Sequence, residues 1–287
     1  MKYLILLLLL TGCAQEKSVS KTPNFIEKQG ILIANRMEAT PIIWNDGRLL
    51  LVVAAREQDL IEVYDGNTLI ASHPTTLGLG SAFMDNGTLY IFGATSWENV
   101  STNTIEMFST TDLVNWSTPI EVQHSISNRV YYNSSVTKLP DGSYLMAAET
   151  CEPGTTCFSA RFFTSNDLIN WSETGAIFKP EIYAACPTIR FIEGFYYVFY
   201  LKAYDGQFAT HLSRSRDLVH WDDAKLPVLV AADDAGSGNN ASDMDFVEAN
   251  GELFINYADG DQLTWTNIRT AKYKGTLESF VKEFYKE

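Results

Sequence analysis

Apolar and polar positions change over in short runs along this chain, and almost nowhere do they follow a helical period. Residues 185–221 show the plan in full. A mixed apolar run, 188–192, meets a tight turn at Glu193-Gly194, and a second run, 195–201, is rich in aromatic and β-branched residues. A polar loop, 202–206, leads to a third run around 208–213, and the stretch closes on Ser215-Arg216-Asp217-Leu218 and Trp221. Strand, turn, strand, loop, strand and turn is the order this predicts. The one helix predicted is short, over 277–287 at the C-terminus.

The plan repeats. The tight turn recurs as Asn45-Asp46-Gly47, Asp85-Asn86-Gly87, Pro140-Asp141-Gly142 and Ala249-Asn250-Gly251, each between two apolar runs. Glycine suits these turns because hairpins need positive φ, which it adopts without steric cost. A second mark, Ser/Thr-x-Asp-Leu-Val/Ile-x-Trp, appears at 110–116, 165–171 and 215–221. Its Asp is expected to bond backbone N–H groups in a turn, and its Trp to pack between sheets, so these Asp residues are not read as catalytic. Five four-stranded repeats of this length predict an all-β chain, a five-bladed β-propeller over residues 30–287.

That architecture sorts the polar residues. The five glycine turns all join a first strand to a second strand, so they share one face. The heads of the first strands and the ends of the second strands must then meet on the other face, around the central channel. Arg36, Glu38, Arg56, Trp97, Tyr132, Asn133, Glu149, Lys202, Tyr204, Asp243, Asp245 and Asp261 are expected there. Carboxylates among aromatics suit a sugar: aromatic faces stack on ring C–H groups, and two carboxylates can run acid–base hydrolysis. Asp243 and Asp245, two apart on an extended segment, are expected to share one face.

The N-terminus adds a location. Lys2 precedes an apolar run, 3–10, too short to cross a bilayer as a helix but of the length of a signal-peptide core. Leu10-Thr11-Gly12-Cys13 resembles a bacterial lipobox, which implies cleavage before Cys13 and lipidation of that cysteine. Residues 1–12 are therefore read as signal peptide and 13–29 as a flexible tether. Ala14 does not resemble an inner-membrane retention signal, so the expected place is the periplasmic side or the surface of the outer membrane. A formal net charge of −14 without basic clusters argues against nucleic acid, and the membrane is met only through the lipid. The chain is read as a monomer. An exported protein permits a disulfide, and Cys151 and Cys157 flank a loop that turns back on itself, so these two are expected to pair, with Cys186 a buried free thiol. No Cys/His spacing suggests zinc and no cofactor is predicted; oxygen ligands in the central channel leave room for a Ca²⁺ ion.

The repeat count, the three Ser/Thr-x-Asp-Leu-x-x-Trp turns, and the stretches 36–41, 185–190 and 242–246 resemble the five-bladed propeller glycoside hydrolases, the family 43, 32 and 117-like groups. The resemblance covers nearly all of the mature chain. It implies an exo-acting glycosidase on plant or algal oligosaccharides, with a carboxylate base at the head of the first blade, where Glu38 stands. The family 43 pattern also implies an Asp at the head of the second blade and a Glu at the head of the third; here those heads carry Ser81 and Asn133. The invertase-like Glu-Cys-Pro reads Ala185-Cys186-Pro187. What survives is Glu38 as base or nucleophile, one of Asp243 and Asp245 as acid or its modulator, and Glu149 as a further candidate acid. Arg36 and Arg56 would orient substrate. A non-catalytic glycan-binding surface lipoprotein is the alternative that the incomplete triad leaves open. Carboxyls ~6.5–9.5 Å apart would invert the anomeric centre and carboxyls ~5–5.5 Å apart would retain it.

Overall fold

The computed structural model describes residues 21–78, 80–94, 103–124, 128–231, 238–261 and 265–286. After β1 (Glu27–Ala34), strands β2 (Ala39–Ile43), β3 (Leu49–Ala55), β4 (Leu60–Asp65) and β5 (Thr68–Pro74) form one antiparallel sheet in chain order. Strands β6 (Ser81–Asp85), β7 (Thr88–Ala94), β8 (Thr104–Thr110) and β9 (Ile120–His124) form a second. A third holds β10 (Val130–Lys138), β11 (Tyr144–Cys151), β12 (Ser159–Ser165) and β13 (Trp171–Phe178). Strands β14 (Ala185–Ile192), β15 (Phe195–Tyr204), β16 (Gln207–Ser215) and β17 (Trp221–Asp223) repeat the plan. Strands β18 (Asn240–Ala249), β19 (Glu252–Gly260) and β20 (Thr266–Lys274) follow it again, with β1 as the fourth strand on β20. One parallel bridge, Phe208 to Asn240, joins these last two groups into an eight-stranded sheet.

The first strands of successive groups lie against one another: β2 on β6, β6 on β10, β10 on β14, β14 on β18, and β18 on β2. Between neighbouring groups lie apolar clusters, such as Val52, Val63, Leu89 and Phe108 between the first two. Ile33, Ile268, Leu51 and Val53 make the matching cluster between the last group and the first. Strands such as β3, LLLVVAA, are apolar throughout because both of their faces are covered.

The glycine turns join first to second strands as the pattern requires. In Asn86-Gly87, Glu193-Gly194 and Asn250-Gly251 both residues have positive φ, 46° and 80°, 47° and 78°, and 53° and 77°. That is a type I′ turn, whose twist matches the strands it connects. In the three Asp-Leu turns, Asp112, Asp167 and Asp217 each accept two backbone N–H groups through Oδ1. The following leucine is left with φ near +60°: 62° at Leu113, 65° at Leu168 and 64° at Leu218. Each Trp then packs on the preceding group, Trp116 on His73, Trp171 on Phe92 and Trp221 on Phe178. These Asp residues build turns.

Three boundaries differ from the pattern. Residues 27–29, expected in the tether, begin β1, and Thr22 and Ile26 before them are buried. The strand is hard to read because its partner β20 is far away in sequence, Ala34 facing Asn267, and its outer face is exposed. The expected loop at 202–206 is mostly strand: β15 runs to Tyr204, and only Asp205-Gly206 turn, at φ 50° and 80°. The C-terminal helix is α1 (Leu277–Glu283), capped by the Thr276 side chain on the Ser279 N–H, and it ends at Phe284 rather than at residue 287.

Candidate active site

Three first strands break register at their heads. Between Tyr131 and Ser134, between Ala185 and Thr188, and between Ser242 and Asp245, one strand carries one residue more than its partner. Such a bulge re-aims the side chains around it. Cys186 and Asp243 occupy the left-handed region, φ 51° and 49°, at a cost of ~1–3 kcal/mol each that the surrounding ladder must hold. The bulges turn Asn133, Cys186 and Asp243 toward one hollow, together with Glu38, Thr40, Gly80, Thr188 and Asp245. Gly80 is required there, since a Cβ would lie 2.4 Å from Ser134 Oγ. The hollow is shallow and opens at one face: its enclosed space is about 20 Å³, room for a water molecule.

Charge is dense around it. Glu38, 4 % exposed, is held by both arms of the Arg56 guanidinium, Nε to Oε2 at 3.0 Å and Nη2 to Oε1. Burial lowers the Arg56 pKa to about 10, while the nearby charges of Asp243 and Glu149 pull it up, so it stays a cation at neutral pH. Glu149 lies one hydrogen bond behind the lining. Its Oε2 accepts the Asn133 side-chain amide and the Cys186 backbone N–H, both at 3.0 Å. Burial, reinforced by the charge of Asp243, pushes the Glu149 carboxyl up to about 8, against those two bonds. Asp243 is half-buried, accepts the Ser242 hydroxyl at 2.5 Å, and bonds the Cys186 side chain. Burial first, then Asp243 and Glu149, raise the Cys186 thiol well above its ordinary value, which keeps it protonated.

The Glu149 shift has a measurable sign. Between its ordinary value of 4.5 and about 8, the folded protein keeps a proton that the unfolded chain has lost, so stability falls as pH rises through that window. Glu149→Gln is expected to flatten the fall of melting temperature from pH 5 to 8. An unchanged slope in the variant would contradict a buried, protonated Glu149.

The other expected site residues divide. Asp245 lines the hollow, but its Oδ1 is committed to Arg190 and to the Phe246 N–H, 2.8 Å. It does not share a face with Asp243 by simple alternation, because the bulge falls between them. Arg36 is not brought to the hollow; Glu62 holds it bidentately, 2.7 and 3.0 Å. Lys202 and Tyr204 lie at the end of β15, where Tyr204 packs against His211. Asp261 accepts the Trp265 N–H at 3.2 Å, and Tyr132 packs on Phe158. Trp97 and Cys13 lie outside the described residues. Cys151 and Cys157 form a disulfide.

Two residues not expected at the site matter here. Cys186 lines the hollow and is half-buried rather than buried; its position in Ala-Cys-Pro was visible, but only the bulge turns it inward. Arg190 spans three first strands, reaching Ser135 on β10 at 3.4 Å, Asp245 on β18, and the Phe246 ring at 4.7 Å. A lone Arg in the apolar run 188–192 was the available signal. Of the oxygen donors in the channel, Asp245 is already matched by this cation. Among the described residues no cluster of three or more His, Cys, Asp or Glu could hold a metal.

No protein-family model and no curated protein matches the chain by sequence. Solved structures match its fold. The GH43 BlXynB protein from Bacillus licheniformis superposes with a TM-score of 0.61 at 16% identity, over 82% of this chain and 50% of that one. The chain thus spans half the length of that protein. A β-1,2-mannobiose phosphorylase from Listeria innocua, in complex with β-1,2-mannobiose, gives a TM-score of 0.66 at 9% identity, over 91% of this chain and 99% of that one. The α-L-arabinofuranosidase PaAbf62A from Podospora anserina, in complex with cellotriose, gives 0.63 at 11% identity, over 89% and 99%. The fold is that of the family-43-like propeller glycoside hydrolases.

Proposed function

We propose that this chain is a five-bladed propeller glycosidase that removes a terminal unit from an oligosaccharide. The observation that carries the reading is the hollow itself. Glu38 from the head of β2 and Asp243 from the head of β18 line it together, with Arg56 against Glu38 and close enough to Asp243 to feel its charge. Carboxylates facing one open hollow are the equipment of glycoside hydrolysis. Glu38, fixed by Arg56, serves as base or nucleophile at the anomeric carbon. Asp243, which bonds the Cys186 side chain and the Ser242 hydroxyl, gives a proton to the leaving oxygen. Glu149, kept protonated by burial at neutral pH, supplies the proton that Asp243 passes to the leaving oxygen. Asp245 and Arg190 brace the strands below.

A panel of aryl glycosides and oligosaccharides with product detection, run beside calorimetry, tests this: hydrolysis of at least one member supports it. Binding across the panel without turnover supports a glycan-binding lipoprotein instead, a reading favoured by the bidentate hold of Arg56 on Glu38 and by the absence of carboxylates at Ser81 and Asn133. In both readings Cys13 carries the lipid, residues 13–21 tether the fold, and the protein is a monomer at the outer membrane. A Cys13→Ser protein is expected to leave the membrane fraction and appear in the soluble one; unchanged partition would exclude the anchor.

A further inference from the structure

The disulfide stands two residues from a buried carboxyl of the hollow. Cys151 is the last residue of β11 and Glu149 lies two before it, so both side chains leave the same face of the strand. The ladder between β11 and β12 runs from Tyr144 facing Ser165 to Thr150 facing Ser159, and the Phe158 N–H adds one more bond, to Thr150 O at 2.9 Å. The Cys151–Cys157 bond is the rung beyond that, in the connection from a second strand to a third, on the face where the hollow opens. From there a path runs back to the hollow. The Phe158 carbonyl accepts the Ala184 N–H at 3.1 Å, Ala184 leads into the bulge at Cys186, and the Cys186 N–H donates to Glu149 Oε2 at 3.0 Å. The Cys186 side chain meets Asn133 and Asp243. Cys151, Cys157, Phe158, Ala184, Cys186 and Glu149 thus make a closed circuit between two sheets.

Two members of that circuit have backbone conformations that must be held. Phe158 has φ 69° and Cys186 φ 51°, where residues with a Cβ are rarely found. Phe158 is kept there from both sides, by β12, which begins at Ser159, and by the disulfide at Cys157. With the disulfide open only one side is fixed; Phe158 can return to negative φ, and its carbonyl then turns away from Ala184. The other bonds of the connection do not replace it. Glu152 pairs with Arg129 and Arg161, and the Thr156 N–H donates to Pro180 O at 2.7 Å, and none of these bonds reaches Ala184, Cys186 or Glu149. The propeller itself does not depend on the disulfide. Neither cysteine belongs to the apolar clusters on the two sides of this sheet, and the β11–β12 ladder is complete without them. Both cysteines are half-buried, within reach of a small dithiol.

We propose that the Cys151–Cys157 disulfide is a positioning device for the hollow: it holds residues 184–186 where the Cys186 N–H meets Glu149, and its reduction by a dithiol loosens that wall while the propeller stays folded. In the reduction the S–S bond breaks, each sulfur takes up one electron and one proton, and the dithiol supplies both and closes to its own disulfide. The device would serve a hollow that cleaves glycans or one that only binds them, and nothing in its test depends on turnover. Oxidised wild type, dithiothreitol-reduced wild type and Cys151→Ser/Cys157→Ser would be compared in the native state by two readouts. Alkylation of Cys186 by iodoacetamide at pH 8, followed by peptide mass spectrometry, should be about 10-fold faster or more in both open forms, because thiol reactivity follows exposure. Amide exchange should rise in the peptide 184–190 and stay unchanged in β3, which belongs to another sheet. Alkylation within about twofold of the oxidised rate in both open forms would show that the bond positions nothing. Exchange that rises equally in β3, or a wild type that unfolds on reduction, would make the bond a staple of the whole fold and overturn the device as well. Should the double variant alone fail to fold, reduced wild type decides.

Discussion

Arg56→Met is expected to destabilise the fold by about 3–5 kcal/mol, the cost of leaving one member of a buried ion pair without its partner. The Glu38 side chain is 5 % exposed, and both its oxygens meet the Arg56 guanidinium. Removing the cation leaves that carboxylate in a site that water barely reaches, while Arg56 itself, 27 % exposed, loses less packing than a core residue would. The lower end of the range is therefore expected. The double variant Arg56→Met/Glu38→Gln should recover most of the loss, because an amide needs no counter-ion. Urea unfolding of both variants and of wild type measures the coupling. Wild-type stability in Arg56→Met, or a double variant as unstable as the single one, would contradict a buried pair.

Glu38→Gln should lower kcat by ~10²-fold or more with the fold intact, the scale of losing an acid–base or nucleophilic group. The amide keeps the shape and can still bond Arg56 through its oxygen, so KM should move little. Asp243→Asn should act in the same way, since Asp243 also lines the hollow. Asp245→Asn is the contrast. Its carboxylate holds Arg190 and the Phe246 N–H, so its loss should appear in melting temperature before it appears in kcat. Equal effects on kcat at Asp243 and Asp245, with stability untouched, would contradict the division of roles.

Much of the fold could be read because its grammar is local. The pairs Asn86-Gly87, Glu193-Gly194 and Asn250-Gly251 need only their own φ values to turn a strand, and the Ser/Thr-x-Asp-Leu turn closes on bonds two and three residues apart. What depended on distance in sequence was lost. Strand β1 makes sense only against β20, and nothing in its own residues names that partner. The site followed the same rule. Glu38 and Asp243 were legible as acidic strand heads, whose place follows from the repeat. Arg36 was misplaced because its partner Glu62 lies one strand across, and a charge beside a strand head carries no mark of which face it takes. The inward turn of Cys186 and the loss of simple alternation between Asp243 and Asp245 come from bulges, and a single extra residue in a ladder leaves no trace in a pattern of apolar and polar positions.

Whether the hollow cleaves glycosidic bonds with Glu38 as base or nucleophile is decided by following sugar release from the oligosaccharide panel by proton NMR, wild type against Glu38→Gln at equal concentration and matched melting temperature. Wild type should free a terminal sugar from at least one oligosaccharide, and Glu38→Gln should slow that release by ~10²-fold or more. Release at the wild-type rate by Glu38→Gln, or no release by wild type from any oligosaccharide it binds, would contradict it.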